Sequence, residues 1–337
     1  MIMITPSFST VSASTRTPDR LRRDGFTLVE LLVVITIIAI MFAIFTAVVG
    51  SMLSRARRSA TQATILKIHR VIQSRRDTFS TYQLKQSEIL QAMRLIQVND
   101  PQGTFTPRQI RRLAPVVARK LAFRRAFPQN RFEKTLPGNI VSEYDNAELL
   151  YWILTTSEDS SSVHFSSSEL ADNDNDRLPE LIDSWGKPLR FYRWPTRLIR
   201  PGGIGTAIEP SVAQLVLGSV SKDRFGQDPD ESVTELFARW ITLQGINGEN
   251  LFHTPATWHA PLVISSGPDM ELGLEEPTDV ANRGFWARPY QEPDTNNNNL
   301  LDPAEDRNGN NNRDNCVVDR TFLFDNISNY NIQTGGS

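Results

Sequence analysis

Apolar and polar positions divide this chain into three regimes. The first is an apolar run that starts at Phe26, is interrupted only by Thr36 from Leu31 through Ile40, and extends to about Val49. At roughly 24 residues it is long enough to cross a bilayer as a helix. One charge, Glu30, sits near its start. A carboxylate costs on the order of 2.5–3.5 kcal/mol at mid-bilayer and less near the interface, so a use for Glu30 is expected. Free N–H groups and the dipole of a first helical turn favour a carboxylate at that place.

In the second regime apolar residues recur near a 3.6-residue period. Ala63, Ile65, Leu66, Ile68, Val71 and Ile72 alternate with arginines and polar residues, which predicts that the helix continues to about Thr78. A single helix over residues 26–78 would span roughly 80 Å and needs a head domain or other stalks against its outer half. Pro101-Gln102-Gly103 breaks the helical material that follows, and Thr106-Pro107 opens a helix over Arg108–Arg125. Tyr144–Thr155 reads as an amphipathic helix packing Leu149, Leu150, Trp152 and Leu154, and Thr234–Gly245 as another.

The third regime is short alternating runs between turns. Asp183-Ser184-Trp185-Gly186 reads as a turn feeding a strand through Leu189–Tyr192; Ala260–Ser266 and Thr321–Asn331 read as two more strands. The expected organisation is a leader (1–25), a transmembrane and stalk helix (26–78), a basic helical insertion (79–135) and a C-terminal head (136–337), with Leu136-Pro137-Gly138 at the last boundary.

Charge changes this picture in one place. A net charge of -2 conceals about eighteen Lys and Arg against about four acids between Arg55 and Lys134, while the remainder is acidic. The basic segment fits a solvated face beside an anionic membrane. It lacks the interleaved aromatics that nucleic-acid binding uses, which argues against that partner. Leader arginines are balanced by Arg55, Arg57 and Arg58 beyond the span, so charge alone leaves its orientation open. The leader has no apolar stretch of its own, unlike a secretory signal peptide. Cys316 is the only cysteine, which excludes an intrachain disulfide.

Two acidic runs invite cations. Asp294, Asn296, Asn298, Leu300, Asp302 and Glu305 fall at positions one, three, five, seven, nine and twelve of an EF-hand-type loop, a calcium pattern. Asn299 stands in place of the turn glycine, and Pro289 and Pro293 crowd out a preceding helix. Asp172-Asn173-Asp174-Asn175-Asp176 is read as a solvated turn, with weak cation binding as the alternative. No nucleophile elbow, phosphate loop, His-Glu-x-x-His or Cys-His pair is present, and His69, His164, His253 and His259 are scattered. An enzyme is not expected.

At this point the residues carry a resemblance. Arg22-Arg23-Asp24-Gly25-Phe26-Thr27-Leu28-Val29-Glu30-Leu31-Leu32 resembles the class III signal of type IV pilins and type II secretion pseudopilins. The resemblance implies cleavage after Gly25 by a prepilin peptidase, N-methylation of Phe26, and a role for Glu30 in assembly. A buried carboxylate is tolerable beside a cation, and the neighbouring subunit's terminal amine is the implied partner. A plain signal anchor with a stray glutamate leaves the Gly25-Phe26 junction unexplained. Asp183–Leu189 resembles the Trp-Gly turn of the major pseudopilin, Ser265–Leu274 its Ser-x-Gly-x-Asp calcium loop, with Leu274 at the second glycine, and Asp325–Asn329 its closing Asp-Asp-Ile-x-Asn segment. By that likeness Asp269, Glu275, Glu276 and Asp279 are candidate calcium ligands.

The fold implied is α+β and pilin-like: a long N-terminal transmembrane and stalk helix on a small antiparallel sheet, with helical insertions and calcium-type loops. The function implied is a structural subunit of a type II secretion pseudopilus. Its expected partners are the prepilin peptidase, other pseudopilin subunits, an inner-membrane secretion platform and inner-membrane lipid. The expected topology is single-pass, with a cytoplasmic N-terminus and a periplasmic head. A type IV pilus subunit and a membrane-anchored, calcium-dependent adhesion module are the alternatives.

Overall fold

The computed structural model describes residues 27–80, 82–136, 142–156, 163–200, 210–218, 234–243, 252–253, 261–279, 284–289 and 323–334. Gly25, Phe26, the loop from Asp294 to Glu305, His259 and Cys316 lie outside the described residues. The chain forms two compact units, Met1–Met52 and Leu53–Ser337, and helix α1 (Leu28–Ser80) contributes to each.

In the first unit every large apolar side chain from Leu28 to Met52 is exposed. A helix that is apolar all round and uncovered belongs in lipid or against other helices. Its hydroxyls are already satisfied within the helix. Thr36 donates to the Leu32 carbonyl at 2.7 Å, Thr46 to that of Ala43 at 3.0 Å and Ser51 to that of Val48 at 2.8 Å. Such back-bonding lets a polar side chain sit in hydrocarbon without a lost hydrogen bond.

The second unit begins with the other half of α1, where Ile65, Ile68 and Ile72 form one buried stripe. α2 (Gln86–Val98) and α3 (Pro107–Ala126) follow as an antiparallel hairpin. The Asp100 carboxylate closes its turn by accepting from the Thr104 and Phe105 N–H groups at 2.8 and 2.9 Å. Thr106 and Gln109 cap α3 reciprocally, as the Thr-Pro pair predicts. Despite its basic composition the hairpin is core: Ala92, Ile96, Leu113, Ala114 and Val117 pack in the cluster that holds Ile65 and Ile68.

α4 (Asp145–Thr155) packs on both small sheets. β1 (Leu170–Ala171) pairs antiparallel with β2 (Glu180–Leu181). β3 (Arg190–Tyr192), β4 (Leu262–Ser265) and β5 (Ile327–Ser328) form an antiparallel sheet in the order β3-β4-β5, with Phe191 opposite Val263 and Ser265 opposite Ile327. The two-residue period of a strand sorts its side chains between two cores. Phe191, Val263 and Ile327 join α1, α3 and α4, together with Phe237 and Trp240 of α7 (Thr234–Leu243). Tyr192, Leu262 and Ile264 join α5 (Thr196–Ile199) and α6 (Pro210–Leu217). The result is the α+β arrangement expected, a long helix with small antiparallel sheets.

The free edge of β3 is closed by side chains. Asn146 Oδ1 accepts from the Phe191 N–H at 2.6 Å, and its Nδ2 donates to the Phe191 carbonyl at 2.9 Å. Next to it Gln129 Oε1 accepts from the Arg193 N–H at 2.9 Å. Arg193 also reaches Glu133 through both terminal nitrogens, at 2.5 and 3.0 Å, and the Phe127 carbonyl at 2.8 Å. This clip fastens the end of α3 to the sheet.

The final strand is shorter than alternation predicts. Within its described part, 323–331, the ladder is confined to Ile327–Ser328, and the flanking asparagine side chains take over main-chain partners. Asn326 Nδ2 donates to the Leu272 carbonyl at 2.7 Å, and Asn329 Oδ1 accepts from the Val263 N–H at 2.9 Å.

Candidate functional site

Glu30 lies in the first turn of α1. The Thr27 hydroxyl accepts from the Glu30 N–H at 3.2 Å, and Glu30 Oε2 accepts from the Thr27 N–H and hydroxyl, each at 2.9 Å. This is a reciprocal cap that satisfies two otherwise orphaned donors. It holds the carboxylate at the exposed start of the helix and leaves Oε1 without a donor among the described residues. Chemically that is an open acceptor. The cleavage and methylation positions, Gly25 and Phe26, lie immediately before the described residues.

The three head segments singled out in the sequence meet one another and the outer half of α1. Asp183 builds the Trp-Gly turn: its Oδ1 accepts from the Trp185 and Lys187 N–H groups at 2.9 and 3.0 Å, with Gly186 at φ +83°. The positive φ is where glycine is needed. Asp183 Oδ2 accepts from the Ser265 hydroxyl at 2.6 Å, and the Ser184 N–H donates to Thr61 Oγ1 on α1 at 3.1 Å. Ser265 leads into the Gly-x-Asp loop, where the Asp269 N–H donates to Asp325 Oδ2 at 3.1 Å. Asn329, closing the last segment, donates through Nδ2 to the Pro261 carbonyl at 3.1 Å and lies 2.9 Å from His69 Nδ1 on α1. Burial, then the charge of Arg76, holds the His69 pKa below its ordinary value, so the ring works as a neutral bridge. Thr64 and Lys67 add bonds to Glu169 at 2.8 Å each.

The acidic residues named from sequence divide. Glu276 is held by Arg190, whose Nη2 lies 2.8 Å from Oε1 and whose Nε bonds Oε2. Glu275 acts through its main chain, with its N–H on the Arg288 carbonyl at 2.8 Å and its carbonyl accepting from the Tyr192 hydroxyl at 2.9 Å. The Asp279 N–H donates to the Glu276 carbonyl at 2.8 Å. Desolvation, with the Asp325 and Glu271 carboxylates nearby, pushes Asp269 up to about 6 despite the Glu271 N–H that it accepts. Asp294, Asn296, Asn298, Leu300, Asp302 and Glu305 fall outside the described residues. Among the described residues, carboxylates converge in threes at Glu148, Asp174 and Glu180, and at Asp172, Asp174 and Asp176; Asp269, Glu275, Glu276 and Asp279 form no such group. Reading the sequence missed Glu148, because Leu149 and Leu150 beside it marked α4 as a core helix. The available signal was the polar triplet Asp145, Asn146 and Glu148 within it.

Comparison with known proteins matches the prokaryotic N-terminal methylation motif over residues 20–46. No curated protein and no solved structure matches the chain. The motif supports a pilin-like structural subunit, processed by a prepilin peptidase and assembled with other such subunits. The chain thus carries a class III prepilin signal at the head of an exposed apolar helix suited to a single-pass membrane anchor.

Proposed function

We propose that this protein is a structural subunit of a type II secretion pseudopilus, of the branch that includes the major pseudopilin. What supports this reading is that the Trp-Gly turn, the Gly-x-Asp loop and the closing Asp-Asn-Ile segment meet around Ser265 and dock on α1. Subunits pack their apolar helices side by side, with the heads on the periplasmic face of the inner membrane. Glu30 meets the methylated amine of Phe26 on the next subunit, which relieves a carboxylate that would otherwise sit in lipid unpaired. Calcium in the Asp294–Glu305 loop stabilises the head and has no catalytic part.

Mass spectrometry of the purified protein tests the processing route: a mature chain beginning at N-methyl-Phe26 is expected, and an intact or differently cut terminus overturns it. Deleting the gene tests the branch. Loss of secretion of other proteins with pili intact is the pseudopilus outcome; lost adhesion, motility or DNA uptake with normal secretion assigns the subunit to a type IV pilus instead.

A further inference from the structure

The Asp172–Asp176 run does not behave as a free turn. It folds back against α4, where six carboxylates gather: Asp145, Glu148, Asp172, Asp174, Asp176 and Glu180. Arg131 bonds three of them, with Asp145 at 2.5 Å, Glu148 at 2.9 Å and Asp176 at 3.1 Å. Asp172 is exposed; among the described residues one guanidinium faces five buried or half-buried carboxylates, which leaves an excess of negative charge in a poorly solvated place.

The polar bookkeeping is also incomplete. The Glu148 side chain is 1% exposed, yet among the described residues its Oε1 is buried without a hydrogen-bond partner, as is Asp174 Oδ2. Neighbouring carboxylates have found donors: Glu180 takes the Asn173 N–H at 2.9 and 3.0 Å, and Asp176 Oδ1 takes the Leu178 N–H at 2.8 Å. Two adjacent buried acceptors without donors call for a ligand that is all positive charge. Oxygens from Glu148, Asp174 and Glu180 lie within 4.8 Å of one another. An ion with bonds of about 2.3–2.6 Å has opposite ligands about 5 Å apart, so one calcium ion reaches all three.

Loop spacing agrees. Asp172, Asp174, Asp176, Leu178 and Glu180 stand at positions one, three, five, seven and nine of a calcium loop. Arg177, at the sixth position where such loops place glycine, has a left-handed φ of +74°. Asp183 stands at the twelfth but is committed to Ser265 and the Trp-Gly turn. The acid that a calcium loop normally supplies from its own end would come here from Glu148 of α4, through the Oε1 that Arg131 leaves open.

We infer that Glu148, Asp174 and Glu180 bind a divalent cation of the calcium type, which ties the β1–β2 loop to α4. The donor set is all hard oxygen, with no nitrogen or sulfur, which disfavours transition metals. The site is independent of the Asp294–Glu305 loop and does not rest on the secretion reading.

The test is calcium titration by calorimetry of the full chain in detergent, stripped with chelator, alongside Glu148→Gln and Asp174→Asn. Glutamine keeps the size of Glu148 and its acceptor for Arg131, and Asp174 lies on a loop, so at least one variant should fold. Each variant is expected to lose one calcium equivalent per chain relative to the parent, or to bind it at least tenfold more weakly, while Glu305→Gln retains it. Equal stoichiometry and affinity in the parent and both variants would overturn the inference. So would a Glu148→Gln chain that gains stability while the parent binds no calcium, since a proton on Glu148 would then be the resolution.

Discussion

Glu133→Gln isolates the clip between the basic hairpin and the sheet. The Glu133 carboxylate is 9% exposed, Arg193 is 4% exposed, and Arg124 lies 2.7 Å away on the other side. Burial disfavours the charged form. The charge and hydrogen bonds of Arg193, the charge of Arg124 and the Gln129 N–H outweigh it and hold the carboxyl down at about 2, against 4.5 unperturbed. Each pKa unit is worth about 1.4 kcal/mol, so ionised Glu133 contributes about 3 kcal/mol, within the range for breaking a buried pair. Glutamine preserves the shape and one acceptor but leaves the Arg193 guanidinium buried without its counter-charge. Because the folded pKa is depressed, the contribution is complete above about pH 4.5 and is lost as pH falls toward 2. Urea denaturation of the detergent-solubilised chain at pH 7 should show the variant less stable by about 3 kcal/mol, and the gap should narrow steadily below pH 4.5. A gap under about 1 kcal/mol at pH 7, or one that does not change down to pH 3, would refute the clip.

Three other outcomes follow from the geometry. Glu30→Ala should leave cleavage after Gly25 intact and block incorporation into filaments; normal incorporation, read by sedimentation of sheared filaments, would remove Glu30 from assembly. Gly267→Ala places a Cβ 2.5 Å from the Asp325 carbonyl oxygen at φ +76°, and should cost about 2 kcal/mol or more in thermal or urea unfolding. Burial, opposed by Arg131 and reinforced by Asp176, Asp145 and Asp174, pushes the Glu148 carboxyl up to about 7. The folded state then binds that proton more tightly than the unfolded one, so stability in chelator should fall as pH rises from about 4.5 to 7. Calcium should flatten the fall, and a profile insensitive to the ion would count against it.

The elements that sequence patterning located best are those whose pattern is long and local. α1, α3, α4 and β4 fall within about two residues of expectation, because helical periodicity, the Thr106-Pro107 opening and a four-residue apolar strand act without distant help. The hairpin's environment was not legible. Arg124 and Arg125 look solvated in sequence, yet they pair with Glu133 and Glu88 while the opposite face of α3 enters the core. Nor was the length of β5, since alternation cannot show that the Asn326 side chain will bond the Leu272 carbonyl or that the Asn329 side chain will take the Val263 N–H. At the N-terminus Glu30 and the junction before it are readable from residues alone. The carboxylate cluster is not, because Glu148 and Asp174 are separated by a helix end and a loop that only the tertiary fold closes.

The side-chain seal on β3 bears on how copies of this protein can join. An exposed strand edge is a template for another chain, and many assemblies grow by adding a strand to it. Here Asn146 occupies both the N–H and the carbonyl of Phe191, Gln129 takes the next N–H, and on the far strand the Ser328 N–H is given to Asn331 Oδ1 at 2.9 Å. Among the described residues, these bonds block strand donation at Phe191, Arg193 and Ser328. Cohesion between copies is then left to other surfaces, of which the uncovered apolar helix is the largest described one.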